Sequence, residues 1–251
     1  LNATNKRVSI WRRKGNYRKA LEIVQEAFEY FSGKGTSISA LERKYERQRS
    51  TMKIRDFGVE IWMNEFENTC AFNLAETCVA SLTIEQLLAL SGRNDTDLAE
   101  LLPMKMTYGA IEGSERLRDN ICGLYAHQRR ENIVVTHGTI GANALVYETL
   151  VSPGDHVISV LPTYQQHYSI PESYGAEVDI LPLREANGFL PDLEELRALL
   201  RPETRLIAIN NPNNPTGALM DAAFLCEIAA LARDSDTYVI CDEVYRGVDQ
   251  D

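Results

Sequence analysis

Residues 206–217 read LIAINNPNNPTG, an apolar run that is followed directly by a polar segment. The run Leu206–Ile209 predicts a buried strand, and the two prolines and the glycine after it predict a fixed turn. Residues 238–245, YVICDEVY, repeat this arrangement, because Asp242 comes straight after a second apolar run. Both segments therefore predict strands whose carboxyl ends carry polar side chains.

Strands and helices alternate on the amino-terminal side of these segments and between them. Further strands are predicted at Ile133–Thr136, His156–Leu161 and Glu177–Leu181. Helices are predicted at residues 112–129, 139–151 and 221–233, and after a capping motif that starts at Asp192. Apolar strands that alternate with helices are typical of an α/β fold, a mostly parallel sheet with helices on both faces. Since ligands bind beyond the carboxyl ends of such strands, the polar residues found there are candidate site residues.

Composition narrows the classes of function. With 251 residues, 44% of them hydrophobic and 25% charged, the chain has the composition of an ordinary globular protein. No apolar run reaches the roughly 18 residues that span a bilayer. The five cysteines and four histidines lack the spacing of a disulfide framework or a metal site. We therefore expect a cytoplasmic protein with reduced thiols, without a metal and without a membrane partner.

Charge is distributed unevenly along the chain. Residues 1–51 hold 12 Lys and Arg against 5 Asp and Glu, while residues 52–251 hold 14 against 31. The acidic main body disfavours a nucleic-acid partner, because phosphate contacts need clustered basic side chains. We interpret residues 1–51 as a basic helical extension outside the catalytic domain, with a partner-binding arm as the alternative. Residues 52–103 are then an N-terminal arm with part of a small domain, and residues 104–251 are a larger domain.

Three segments that follow predicted strands carry the chemistry. Asp242 leaves a buried strand, where a carboxylate is costly unless it meets a positive partner such as a protonated pyridine nitrogen. The alternative role for Asp242 is a helix N-cap. Residues 136–141, THGTIG, place glycines and backbone amides at a helix start, which suits a phosphate, although such a turn can also be purely structural. Tyr164 follows the strand that ends at Leu161 and offers a flat face to a ring.

In chain order, these motifs resemble those of the class I/II, fold-type I aminotransferases, which use pyridoxal phosphate (PLP). The resemblance covers about residues 52–251 and depends most on the NPTG of residues 214–217 and on the D-x-x-Y of residues 242–245. It implies that residues 104–251 are the PLP-binding large domain of that fold, in incomplete form.

At the phosphate end of the cofactor the resemblance implies four binding residues. Gly138, Thr139 and Ile140 match the turn that binds the phosphate. Tyr108 matches the tyrosine that reaches the phosphate of the neighbouring subunit, which implies a homodimer.

At the ring end the resemblance implies four more. Tyr164 matches the aromatic side chain stacked on the pyridine ring, and Asp242 matches the partner of its nitrogen. Asn214 and Tyr245 match the pair that binds the ring hydroxyl. Asp242 and Tyr245 are also the catalytic candidates.

Two features depart from the family pattern. The last lysine in the chain is Lys105, so the Schiff-base lysine that the family places after D-x-x-Y is not present. We therefore interpret the chain as a C-terminally truncated fragment. Glu76 stands in a segment where many family members have a glycine. It is either a contact for a cationic substrate side chain, as in arginine-handling relatives that resemble capreomycidine synthase, or a solvated surface residue.

The function implied by the resemblance is transfer of an amino group from an amino acid to a keto acid, in amino-acid metabolism including biosynthetic processes. One alternative is a PLP-dependent oxidase, desaturase or cyclase of an amino acid such as arginine. A second alternative is a non-catalytic truncated scaffold.

Overall fold

The computed structural model describes residues 54–67, 69–75, 77–94, 98–99 and 103–248 of this chain. These residues belong to one unit, Ile54–Asp251. The extension predicted at residues 1–51 and the candidate residue Glu76 lie outside the described residues.

Four parallel strands place the polar segments side by side. The strands are β1 (His156–Leu161), β2 (Glu177–Pro182), β3 (Thr204–Asn210) and β4 (Tyr238–Asp242), in the spatial order β2-β1-β3-β4. Each neighbouring pair is parallel, which confirms the predicted α/β fold with a parallel sheet. Because Asn210 is in register with Asp242, the turn after β3 and the residue that ends β4 lie together at one edge.

The strand order reverses at β1, since β2 lies on one side of it and β3 on the other. In parallel sheets, ligands bind in the crevice beyond the carboxyl ends of the strands at such a reversal. The segment after β1 contains Tyr164 and the segment after β3 contains Asn214, so both start at this crevice.

Seven α-helices accompany the sheet within the described residues. They are α1 (Gly58–Phe66), α2 (Ile84–Leu90), α3 (Glu115–Cys122), α4 (Gly138–Leu150), α5 (Gln166–Ser173), α6 (Leu193–Leu199) and α7 (Ala222–Asp234). Side-chain caps fix the starts of several of them. Asp221 accepts a hydrogen bond from the Phe224 amide at 2.8 Å, and Thr83 and Gln86 form a reciprocal capping box at α2. Such caps satisfy amides that have no partner inside the helix.

Apolar side chains cover both faces of the sheet, because successive strand residues point to opposite sides. On one face Val157 packs in a cluster with Tyr147 of α4. On the other face Ile158 packs in a cluster with Leu196 of α6 and Ile228 of α7. Burial of each large apolar side chain contributes about 1.5–3 kcal/mol. The strands therefore give the polar edge a firmly packed support.

The helix predicted at residues 112–129 is shorter in the structure and covers Glu115–Cys122. Gly113 has a φ of 103°, which is far from helical, and a Cβ there would lie 2.4 Å from a methyl carbon of Val135. The chain can therefore enter the helix only after this glycine. At the other end Gly123 is the C-cap.

The strand predicted at Ile133–Thr136 has no regular secondary structure. The Val135 amide donates to the Glu112 carbonyl at 2.8 Å, so it bonds to the chain before α3 and not to a neighbouring strand. The β-branched run is therefore packed beside Gly113 without belonging to the sheet.

Candidate cofactor site

A pocket of about 240 Å³ opens at the carboxyl edge of the sheet. Six residues predicted to bind the cofactor line it: Thr139, Ile140, Tyr164, Asn214, Asp242 and Tyr245. Gly138 precedes two of them in the first turn of α4. Tyr108 is not among the lining residues and is 95% exposed, so the structure does not bring it to this pocket.

Asp242 is the buried charge of the pocket, with 5% of its surface exposed. Its Oδ1 accepts a hydrogen bond from the Val244 amide at 3.0 Å, and its Oδ2 accepts one from Asn143 Nδ2 at 2.8 Å. Burial alone would raise the pKa of this carboxyl, but the His167 ring, the Asn143 amide and the Val244 amide outweigh burial and lower the pKa below its ordinary value. Asp242 is therefore an ionised carboxylate at neutral pH.

His167 lies behind this carboxylate in a fully buried position. Its Nε2 is 3.3 Å from Asp242 Oδ2, close enough for attraction but outside hydrogen-bond geometry. Its Nδ1 is 2.8 Å from the hydroxyl of Tyr147. Burial, together with the nearby Asp242 charge, raises the pKa of Tyr147, so this hydroxyl keeps its proton.

The first turn of α4 forms the end of the pocket that is suited to a phosphate. His137 is the N-cap but makes no side-chain cap, and the first turn holds no acidic residue. The amides that open this 13-residue helix are therefore available to an anion. Gly138 adopts a φ of 68°, a conformation that glycine reaches without strain.

The turn after β3 is built by its own asparagine side chains. Asn210 Oδ1 accepts from the Asn214 amide at 2.6 Å, and Asn211 Oδ1 accepts from the Met220 amide at 2.8 Å. Asn213 reaches across to the segment after β1 and donates to the Pro162 carbonyl at 3.2 Å. These bonds hold Asn214 at the pocket.

Asn214 and Tyr245 meet in the lining of the same pocket. Asn214 Nδ2 donates to the Tyr245 hydroxyl at 3.3 Å. The same hydroxyl is 2.7 Å from the hydroxyl of Thr77. Polar groups therefore converge here on one phenol oxygen.

Tyr164 supplies the aromatic wall. Its hydroxyl donates to Glu60 Oε1 at 2.8 Å, and Phe57 packs edge-to-face against its ring at 5.6 Å. Burial and the Glu60 carboxylate raise the pKa of Tyr164. The ring is thus fixed from outside the pocket and stays neutral.

A second cavity of about 500 Å³ adjoins the first and shares Tyr164, Asn214 and Tyr245 with it. Two carboxylates line it, those of Glu60 and Glu67, and the described lining residues include no Lys or Arg.

Sequence reasoning missed four residues around the first pocket: Asn143, Gln166, His167 and Thr77. Each makes the contacts given above or lines the pocket. The sequence contains one signal for Asn143, because it is a polar residue inside the otherwise apolar run of residues 142–147. Gln166 and His167 stand in polar surroundings in the sequence, where nothing distinguishes them from surface residues. Thr77 follows Glu76 in the segment that departs from the family pattern, but only Glu76 is a candidate there.

The donor set fits PLP. The ionised Asp242 has no Lys or Arg within ion-pair distance among the described residues, and the buried His167 Nε2 beside it lacks a hydrogen bond. A protonated ring nitrogen would supply the missing positive charge. The open amides of α4 suit the phosphate, Tyr164 offers an aromatic face, and Asn214 with Tyr245 suits a ring oxygen.

Two other kinds of site find no support in the described part of the chain. No group of three or more His, Cys, Asp or Glu side chains there is arranged to hold a metal ion. No helix there has the length and apolar character needed to cross a membrane.

Comparison with curated proteins finds aminotransferases and a capreomycidine synthase. The chain is 36% identical over 152 residues to the arginine–pyruvate transaminase AruH of Pseudomonas aeruginosa, covering 58% of this chain and 38% of that protein. It is 31% identical over 187 residues to capreomycidine synthase of Streptomyces vinaceus, covering 74% of this chain and 48% of that protein. The chain therefore spans half or less of the length of these curated relatives.

A solved structure gives the same result. A PLP-dependent aminotransferase from Streptococcus suis superposes with a TM-score of 0.76 and 49% identity, covering 79% of this chain and 54% of that one. The family model described as "Aminotransferase class I and II" matches residues 90–249, which include the α4 turn, the turn after β3 and Asp242. PLP is the cofactor that these findings imply, and the predicted resemblance is confirmed. The chain belongs to the class I and II aminotransferase family.

Proposed function

We propose that this pocket binds PLP and that the whole protein transfers an amino group from an amino acid to a keto acid. The observation that carries the proposal is Asp242, a buried and ionised carboxylate at the pocket wall. A role as a cap alone would not explain why Asp242 is buried, because an unpaired buried charge is costly. A positively charged partner in the pocket would explain it.

Each wall of the pocket has its own task in this proposal. When bound, PLP supplies a ring that accepts the electrons left on the substrate after its α-proton is lost. Asp242 would hold the proton on the ring nitrogen, and the first turn of α4 would bind the phosphate. Tyr164 would offer its aromatic face to the ring, while Asn214 and Tyr245 would bind the ring hydroxyl.

Keto-acid dependence tests the reaction type. We expect the whole protein, loaded with PLP, to consume more than one equivalent of amino acid per cofactor only when a keto acid is also present, and to release the matching new amino acid. Chromatography of both amino acids measures this directly. Turnover that consumes oxygen and needs no keto acid would instead support the oxidase alternative and contradict transamination.

The second cavity points to the class of amino acid. This cavity shares three residues with the cofactor pocket, and its described lining includes Glu60 and Glu67 but no Lys or Arg. Such a lining favours a substrate with a cationic side chain. One relative, the arginine–pyruvate transaminase, is named for a substrate of this kind. We therefore propose that cationic amino acids are among the substrates.

Removal of a carboxylate from this cavity tests the substrate class. In the whole protein, Glu67→Gln should raise the KM for arginine or lysine by about threefold to fivefold, since a partly exposed ion pair is lost. The KM for a neutral amino acid should change little. Glu65→Gln is the matched control, because Glu65 lies on α1 but does not line the cavity. Equal KM changes for cationic and neutral amino acids would contradict the proposal.

We further propose that the whole protein is a homodimer in the cytoplasm. The segment of residues 104–111 supports the dimer, because Met106, Tyr108 and Ile111 are almost fully exposed apolar side chains. In a dimer Tyr108 would be free to reach the partner's pocket. The thiols of Cys70, Cys122, Cys226 and Cys241, which form no disulfide, support a reducing compartment. Equilibrium sedimentation of the whole protein measures its molecular mass and should give that of a dimer. The mass of a monomer at micromolar concentration would contradict the proposal.

A further inference from the structure

Asn143 is a polar residue in the buried part of α4, with 4% of its surface exposed. A buried amide is costly unless its hydrogens find acceptors. Asn143 satisfies this need with two acceptors on two other elements. Its Nδ2 donates to Asp242 Oδ2 at 2.8 Å and to Gln166 Oε1 at 3.2 Å.

Gln166 extends the chain of hydrogen bonds back to the start of α4. It is 1% exposed, and its Nε2 donates to the Ile140 carbonyl at 2.7 Å. Ile140 belongs to the first turn of α4, which forms the end of the pocket that is suited to a phosphate. A continuous hydrogen-bonded path therefore runs from that turn through the buried Gln166 and Asn143 to the carboxylate.

Asn143 itself lies on the same helix as the turn and lines the same pocket. One rigid element thus carries both the amides that suit the phosphate and the amide that holds Asp242. Because α4 is packed against the sheet through Tyr147, the separation between the two ends of the pocket is fixed by the helix.

We propose that Asn143 is a positioning residue that aims the Asp242 carboxylate at the ring nitrogen of PLP and sets its distance from the phosphate turn. This inference depends on the proposed function, since it requires PLP in the pocket. Asn143 does not touch the reacting atoms of the substrate and acts through Asp242. The lowered pKa of Asp242, to which the Asn143 bond contributes, agrees with this role.

A leucine at this position would fill a similar volume and remove both hydrogen bonds. Asp242 Oδ2 would then keep only the His167 ring nearby, which lies outside hydrogen-bond geometry. The carboxylate would be free to turn away from the ring nitrogen. The phosphate, the aromatic wall and the hydroxyl contacts would remain, so cofactor binding should weaken selectively at the nitrogen.

The test compares two ligands that differ only at that atom. We measure the equilibrium affinity of the whole apoprotein for PLP and for its deaza analogue, in which carbon replaces the ring nitrogen. The unsubstituted protein should prefer PLP. Asn143→Leu should reduce this preference by about threefold to tenfold, the range expected for one ordinary hydrogen bond. In an Asp242→Asn background, Asn143→Leu should cause no further reduction.

Two more variants keep the test decisive. Asn143→Ser, which is smaller, should reduce the preference in the same direction if Asn143→Leu does not fold. Thr149→Val is the matched control on α4, since its hydroxyl bonds to the Leu145 carbonyl of the same helix and it does not line the pocket, and it should leave the preference unchanged. An unchanged preference in a folded Asn143 variant would overturn the inference. Absence of any preference in the unsubstituted protein would instead overturn the proposed function.

Discussion

Asp242→Asn in the whole protein should lower turnover about ten- to hundredfold while most PLP binding is retained. The lost interaction is a charge-assisted hydrogen bond, worth on the order of 1.5–3 kcal/mol, and we expect it to be stronger in the transition state than in the resting cofactor complex. An amide cannot hold a proton on the ring nitrogen, so loss of the electron-accepting ring should add to this effect. The measurement is kcat at saturating PLP, with PLP affinity determined separately.

Glu243→Gln is the control for this substitution. Glu243 is the next carboxylate in the sequence, but it accepts hydrogen bonds from Tyr125 and Arg246 and does not line the pocket. It should leave kcat close to that of the unsubstituted protein. If Asp242→Asn retained turnover within about twofold of that level, Asp242 would be only a cap for the chain after β4.

Gly138→Ala should weaken PLP binding by about fivefold to thirtyfold. Gly138 has a φ of 68°, and an L-residue in that conformation costs roughly 1–2 kcal/mol, so the turn must shift away from the geometry that presents its amides. The phosphate contacts should suffer first, because they depend on those amides. Equilibrium titration of the apoprotein with PLP measures the change.

Gly141→Ala is the matched control on the same helix. A Cβ at Gly141 would make an ordinary 3.5 Å contact with Thr136, and alanine is favoured over glycine inside a helix. Its affinity for PLP should match that of the unsubstituted protein. Equal losses in both variants would show a general effect on α4, and no loss in Gly138→Ala would remove the turn from the phosphate site.

The strands and the residues that follow them could be predicted from the sequence. Leu206–Ile209 and Tyr238–Cys241 are apolar runs bounded by polar or turn-forming residues, and each became the core of a strand. Since the four strands of the described residues are parallel, their carboxyl ends share one edge, which is why Asn214, Asp242 and Tyr245 line one pocket. The roles assigned to these residues remain predictions.

The supporting contacts could not be predicted in the same way. Helix α5 contains Pro171 and has no side-chain cap at its start, so its sequence lacks the usual signals of a helix. Gln166 and His167 are therefore indistinguishable from loop residues until the fold buries them. Asn143 contacts Asp242 across 99 positions of the chain, and neither propensity nor periodicity carries information over that distance.

The segment near Gly113 shows a different limit. Ile133–Thr136 has the composition of a strand, yet Val135 bonds to Glu112 instead of a neighbouring strand. Strand formation needs a partner at the right place, whereas a β-branched run shows only that its side chains are suited to one.

Nitrogen NMR of isotopically labelled PLP, bound to the whole protein at neutral pH, tests the central claim most directly. The claim is that Asp242 faces the ring nitrogen and keeps it protonated. The account predicts the resonance of a protonated pyridine nitrogen in the unsubstituted protein and of an unprotonated one in Asp242→Asn. An unprotonated nitrogen in the unsubstituted protein, or the same protonated resonance in both, would contradict it.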